Sequence, residues 1–120
     1  MVTEITSADQ FNQVLTQRQL VVAYFYGQWT ASWKVLSDEL EKFENRFTAE
    51  CHDIEFLKLD VGIDEFESVL QEQGIRGVPS IFFYADGEQV DKANNVVDPE
   101  YIEKKISNFV NEYKFNYQSN

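Results

Sequence analysis

A chain of 120 residues with a formal net charge of −11 repels phosphate backbones and anionic lipid, which sets nucleic-acid and membrane roles aside. Its length suits one domain with its own core, and its single cysteine, Cys51, excludes an intramolecular disulfide, as fits a reducing compartment, the cytoplasm or the nucleus. No basic region followed by an apolar run opens the chain, and its longest apolar runs, such as Leu20 to Tyr26, are too short to span a bilayer.

Thr3 to Ile5 reads as a small edge strand. Ser7-Ala8-Asp9-Gln10 is a capping box, with Ser at the N-cap and Gln three residues on, opening a helix to about Gln17. Leu20 to Tyr26 has the near-continuous apolar pattern of a central strand covered on both faces. From Ala31 to about Thr48, the residues Val35, Leu36, Leu40, Phe43 and Phe47 recur at helical spacing opposite a charged face.

Ile54 to Asp60 is a further strand. A short helix from about Glu65 to Gln73 follows, capped by Asp64 and stopped by Gly74. Ser80 to Tyr84 is strand-like, and Asp86-Gly87 signals a hairpin into a strand from about Glu88. Asp98-Pro99 opens the last helix, with Tyr101, Ile102, Ile106, Phe109 and Val110 as its apolar stripe. The order β-α-β-α-β-α-β-β-α implies an α/β fold, a mixed central sheet with helices on both faces. One domain over residues 1–113 is expected, with 114–120 as a frayed tail.

Several segments, in this order, resemble the thioredoxin family: the strand into Phe25-Tyr26-Gly27-Gln28-Trp29, then Lys58-Leu59-Asp60, Ile75 to Ser80, Asp86 to Lys92, and the terminal helix. The resemblance covers nearly the whole chain and implies the thioredoxin fold. It is nearest to cytosolic thioredoxins and to the thioredoxin-like domains that precede monothiol glutaredoxins. In that family a Cys-X-X-Cys follows the tryptophan, where a helix N-terminus lowers the nucleophile's pKa and the second thiol resolves the mixed disulfide. Here those positions read Thr30-Ala31-Ser32-Trp33 after Trp29, and neither sulfur is present.

The resemblance also places Tyr24 where many members bury an aspartate, leaves Lys58 without that partner, and puts Asp38 where a proline kinks the helix. Pro79, after Val78, corresponds to the family's cis-proline beside the active-site turn, and Asn95 or Val96 stands where a glycine completes the groove. Thr30 lacks an adjacent base, so its expected role is to cap the helix. Trp29, Trp33, Val78, Pro79 and Val96 form a candidate surface for another protein, with core packing the competing role for Trp33. Cys51 lies among acids that disfavour its thiolate, and Cys51 with His52 is too small a set for a metal site.

These features lead to an expectation of a redox-inactive, non-enzymatic module without cofactor or metal. Such a module would act through contact with another protein of unknown identity, or as a homodimer. The alternative is a thiol–disulfide oxidoreductase-related protein with residual monothiol activity through Cys51. A further possibility is that the chemistry is supplied in trans, for example by an iron–sulfur-binding glutaredoxin.

Overall fold

The computed structural model describes residues 1–51 and 53–118, with side chains as far as residue 113. The side chains of the tail expected at 114–120 therefore lie outside the described residues, as does His52. The chain runs β1 (Thr3–Glu4), α1 (Ala8–Gln17), β2 (Leu20–Tyr26), α2 (Trp33–Glu50), β3 (Ile54–Asp60), α3 (Glu67–Gln73), β4 (Ser80–Ala85), β5 (Glu88–Ala93) and α4 (Pro99–Gln118). A single 3₁₀ turn over Asp64–Phe66 leads into α3. The five strands lie in the order β1-β3-β2-β4-β5; β3 is parallel to β1 and β2, whereas β4 is antiparallel to β2 and β5.

β2 organises both layers because every one of its seven residues is buried. Leu20, Val22, Tyr24 and Tyr26 face Leu36, Leu40, Phe43 and Phe47 of α2 and Ile102, Ile106 and Phe109 of α4. The alternate residues Val21, Ala23 and Phe25 face Phe11 and Leu15 of α1, Phe66 of the 3₁₀ turn and Val69 of α3. The two-residue period of a strand sends alternate side chains into separate cores. Burying one of these aromatic or branched side chains contributes about 1.5–3 kcal/mol, so the two layers carry most of the fold.

The local signals act as their chemistry dictates. Ser7 Oγ accepts the Gln10 N–H at 3.1 Å, while the Gln10 side chain reaches back to the Thr6 N–H at 2.8 Å, one residue before the cap. Asp86 and Gly87 both take positive φ, 52° and 83°, the conformation of a tight hairpin turn. Asp98 Oδ1 accepts the Glu100 N–H at 3.1 Å at the start of α4.

Three local expectations are corrected. Asp64 starts the 3₁₀ turn and makes no capping bond to α3. Val35 falls outside the buried stripe of α2 and is 60% exposed, because Leu36, Leu40, Phe43 and Phe47 already complete the face that meets the sheet. The helix begins at Trp33, two residues later than its apolar spacing predicts.

Candidate functional site

The site sits where β2 ends and α2 begins. Tyr26 closes the strand, and its carbonyl accepts the Val61 N–H at 2.8 Å, joining the ends of β2 and β3. Asp60 ties the same corner: one carboxylate oxygen takes the Gln28 amide at 3.0 Å, and the other takes the Gly62 N–H at 2.9 Å. Residues 27–32 form the intervening turn. Thr30 closes it through both its N–H and its hydroxyl, which donate to the Gly27 carbonyl at 3.1 and 2.8 Å. Thr30 therefore fastens the turn and does not cap α2, because its hydroxyl points back along the chain. Ser32 holds the N-cap position with no side-chain capping bond.

Trp29 and Trp33, which directly flank Thr30-Ala31-Ser32, go separate ways. Trp29 is 68% exposed, and its ring lies so close over Gly27 that a Cβ there would come within 2.6 Å of it. Trp33 is half-buried and stacks on Tyr26 at 5.6 Å between ring centres, and Tyr26 stacks on Tyr24 at 5.4 Å. Val96 packs on that same core layer, whereas Val78 packs on the other. Of the five residues in the candidate surface, Trp29 and Val78 line one cleft of about 200 Å³, together with Val61, Leu70, Ile75 and Gly77. Pro79 is buried behind it, joined to Val78 by a cis peptide bond.

The strand beneath the turn carries no buried aspartate. Tyr24, 1% exposed, donates its hydroxyl to the Trp33 carbonyl at 3.2 Å and so anchors the first residue of α2; burial pushes its pKa up to about 12. Lys58 has a partner after all. Its Nζ lies 3.8 Å from Glu4 Oε1, and the Tyr26 hydroxyl donates to that carboxylate at 3.1 Å. Burial raises the Glu4 pKa, against the Tyr26 hydrogen bond and Lys58. Burial, followed by the charge of Glu4, raises that of Tyr26. Sequence reasoning missed Glu4 because it reaches this cluster through the pairing of β1 with β3, whose register places it opposite Lys58.

The far wall is built from 77–80 and 93–96. Asn95 supplies the glycine-like backbone of this loop with φ 54°, and the Val96 N–H donates to the Pro79 carbonyl at 3.0 Å. The Asn95 amide lies over Gly77, where a Cβ would come within 2.5 Å of its Oδ1. Ser80 Oγ braces the loop by donating to the Gly77 carbonyl at 2.6 Å. Among the described residues, the Val78 N–H and C=O take part in no hydrogen bond.

Cys51 lies at the opposite end of α2, about 27 Å away by helix rise. It is 5% exposed, belongs to the core layer under α2 and α4, and donates its N–H to the Phe47 carbonyl at 2.9 Å. The loop position read from sequence is thus a buried C-cap, because the helix continues to Glu50. Among the described residues, no group of three or more His, Cys, Asp or Glu side chains could hold a metal ion, and no helix is long and apolar enough to cross a membrane.

Residues 2–108 match the thioredoxin family model. The chain is 31% identical over 111 residues to thioredoxin-2 of Saccharomyces cerevisiae, covering 92% of this chain and all of that protein. It is 32% identical over 103 residues to a thioredoxin of Malassezia sympodialis, covering 86% and 93% of the two chains. The solved structure of a Malassezia sympodialis thioredoxin superposes with a TM-score of 0.78 at 30% identity, covering 91% of this chain and 90% of that one. An oxidised thioredoxin from Plasmodium falciparum shares the fold, with a TM-score of 0.80 at 24% identity and coverage of 91% and 98%. The chain belongs to the thioredoxin family.

These relatives overturn the expectation of a redox-inactive, non-enzymatic module, for they are thioredoxins matched along most of their length. That expectation rested on the absence of sulfur at Thr30 and Trp33, on Tyr24 in place of a buried aspartate, and on the altered loop at Asn95 and Val96. The scaffold of the family's site surrounds them, and one thiol remains elsewhere in the chain.

Proposed function

We propose that this thioredoxin-family chain is a thiol–disulfide oxidoreductase-related protein that docks an extended, cysteine-bearing polypeptide beside Trp29 and Val78, with exchange of its own running through its single thiol, Cys51. The observation that carries the reading is the cleft between Trp29 and Val78, where the Val78 backbone offers one donor and one acceptor with no internal partner. An extended segment pairs with such a backbone by strand addition while its side chains enter the neighbouring apolar space.

Exchange with one thiol follows a fixed course. The Cys51 thiolate attacks one sulfur of a disulfide, the other sulfur leaves as a thiolate, and a mixed disulfide on Cys51 results. A second thiol, from a low-molecular-weight reductant, then attacks that mixed disulfide, releases Cys51 and keeps the other half of the bond. Because Cys51 is buried at a helix end, attack follows local opening of the last turn of α2, so the reaction is slow.

Reduction of insulin in the presence of dithiothreitol tests this. Turnover above the dithiothreitol background that disappears in Cys51→Ser is the expected result. Equal rates for the native chain and Cys51→Ser, or no rate above background in either, would remove Cys51 from the chemistry.

A further inference from the structure

Three aromatic rings stand in series under the start of α2. Trp33 stacks on Tyr26 at 5.6 Å with the ring planes 16° apart, and Tyr26 stacks on Tyr24 at 5.4 Å and 20°. These are offset-stacked pairs, with the rings in contact. Tyrosine and tryptophan are, with cysteine, the side chains most readily oxidised by one electron, and an electron passes fastest between groups that touch. The surroundings of the three rings differ. Trp33 is half-buried, and the Lys34 Nζ lies 5.7 Å from its ring centre, a cation that disfavours positive charge resting on the indole. Tyr26 is buried; its hydroxyl donates to both oxygens of Glu4 at 3.1 and 3.2 Å, and the charges of Glu4 and Asp60 act on it. Lys58, with its Nζ 3.8 Å from Glu4 Oε1, favours the ionised form of Glu4, the form that accepts a proton. Tyr24 donates to the Trp33 carbonyl, a backbone acceptor too weakly basic to keep a proton.

A phenol that loses an electron becomes a strong acid, and its proton leaves to a base within hydrogen-bond reach. Among the described residues, Tyr26 alone of the three rings has a carboxylate on its polar atom. We propose that Trp33 and Tyr26 form a one-electron relay, in which a diffusing oxidant of the peroxyl-radical class takes an electron from Trp33 and the hole passes to Tyr26 as the phenol proton moves to Glu4. The peroxyl radical becomes a peroxide anion and takes a proton from water. Trp33 is restored, Tyr26 is left as a neutral radical, and Glu4 is left as a neutral carboxylic acid. A small reductant of the ascorbate class then returns one electron to Tyr26, becoming a radical itself, and Glu4 gives back the proton. The hole stops at Tyr26 because Tyr24 has no base to receive its proton. The relay is separate from the cleft beside Val78 and from Cys51.

A ruthenium(III) polypyridyl complex generated by a light flash supplies the oxidant for the test, and transient absorption with electron paramagnetic resonance identifies the radical. A tyrosyl signal that outlives those of exposed tyrosines such as Tyr101 is expected, because buried Tyr26 cannot couple with a second chain. Tyr26→Phe, which keeps a ring in the stack, is expected to lose this long-lived signal. Glu4→Gln, which keeps the shape of the side chain and removes the base, is expected to form it about a hundredfold more slowly. Trp33→Phe, whose ring is harder to oxidise, is expected to lose its rapid formation. In heavy water the native chain is expected to form it more slowly, since the phenol proton moves with the electron.

A long-lived tyrosyl signal that persists in Tyr26→Phe puts the radical elsewhere and overturns the proposal, as does its absence from the native chain. Formation unchanged in Trp33→Phe removes the indole from the relay. Formation unchanged in Glu4→Gln, or unchanged in heavy water, removes the proton acceptor. Each of these results likewise overturns the relay.

Discussion

The two ends of α2 hold separately what the family's site, as the resemblance implies it, holds in one place. At the start, a turn fastened by Thr30 and anchored by Tyr24 presents residues 29–33 beside an apolar cleft, with no sulfur among them. At the finish, Cys51 carries the chain's only thiol, packed into the core and closed over by the last helical turn. One end has presentation without a nucleophile, and the other has a nucleophile without presentation. Presentation here is made by strand, turn and aromatic packing, and it persists when the reactive atoms are absent.

The contrast can be broken most severely at the closed end. Phe47, 1% exposed, supplies both a buried ring beneath α2 and the carbonyl that receives the Cys51 N–H. Phe47→Ala is expected to cost about 3–5 kcal/mol, read as a lower midpoint in urea unfolding, and to speed alkylation of Cys51. A midpoint unchanged from the native chain would mean that this end is not held by the core.

The open end is tested by restoring a nucleophile. In the variant Thr30→Cys the new thiol stands at the turn before α2 and is expected to react with iodoacetamide on the order of a hundredfold faster than Cys51. The two sites are told apart by peptide mapping. Similar rates at both would show that the turn no longer presents its residues to solvent.

A smaller effect comes from Tyr24, which anchors the open end. Its folded pKa is raised by burial from 10.0 to about 12, so its contribution to stability is complete below pH 10 and is lost as pH rises through about 12. The shift corresponds to about 2–3 kcal/mol. Over that interval the native chain is expected to lose stability more steeply than Tyr24→Phe, as followed by denaturant titration at each pH. Parallel curves would show that the Tyr24 phenol titrates alike in both states.

Much of this fold was legible in the sequence, because β2, α2 and α4 are long, strongly periodic segments whose burial follows from their spacing. The start of α2 was less so. Apolar spacing says where a helix can run, whereas the first turn was decided by Thr30 bonding backward to Gly27. Glu4 could not be recognised as the partner of Lys58, since the pairing that joins them spans most of the domain's first half. Trp33, undecided between core and interface, stacks on Tyr26 because strand alternation turns Tyr26 toward α2. The functional reading went astray for a different reason. It inferred the activity of a whole scaffold from a handful of substituted positions, Thr30, Trp33, Tyr24 and the loop at Asn95 and Val96 among them, and the thioredoxin relatives correct it.

Gly77 and Asn95 sit so close that each restricts what the other can become. A side chain at 77 would meet the tip of the Asn95 side chain, so Gly77→Ala requires that amide to turn aside. Asn95 in turn holds a left-handed backbone that few residues besides glycine accept readily. The two positions are thus constrained differently: residue 77 by a side-chain tip that can move, residue 95 by its own left-handed backbone.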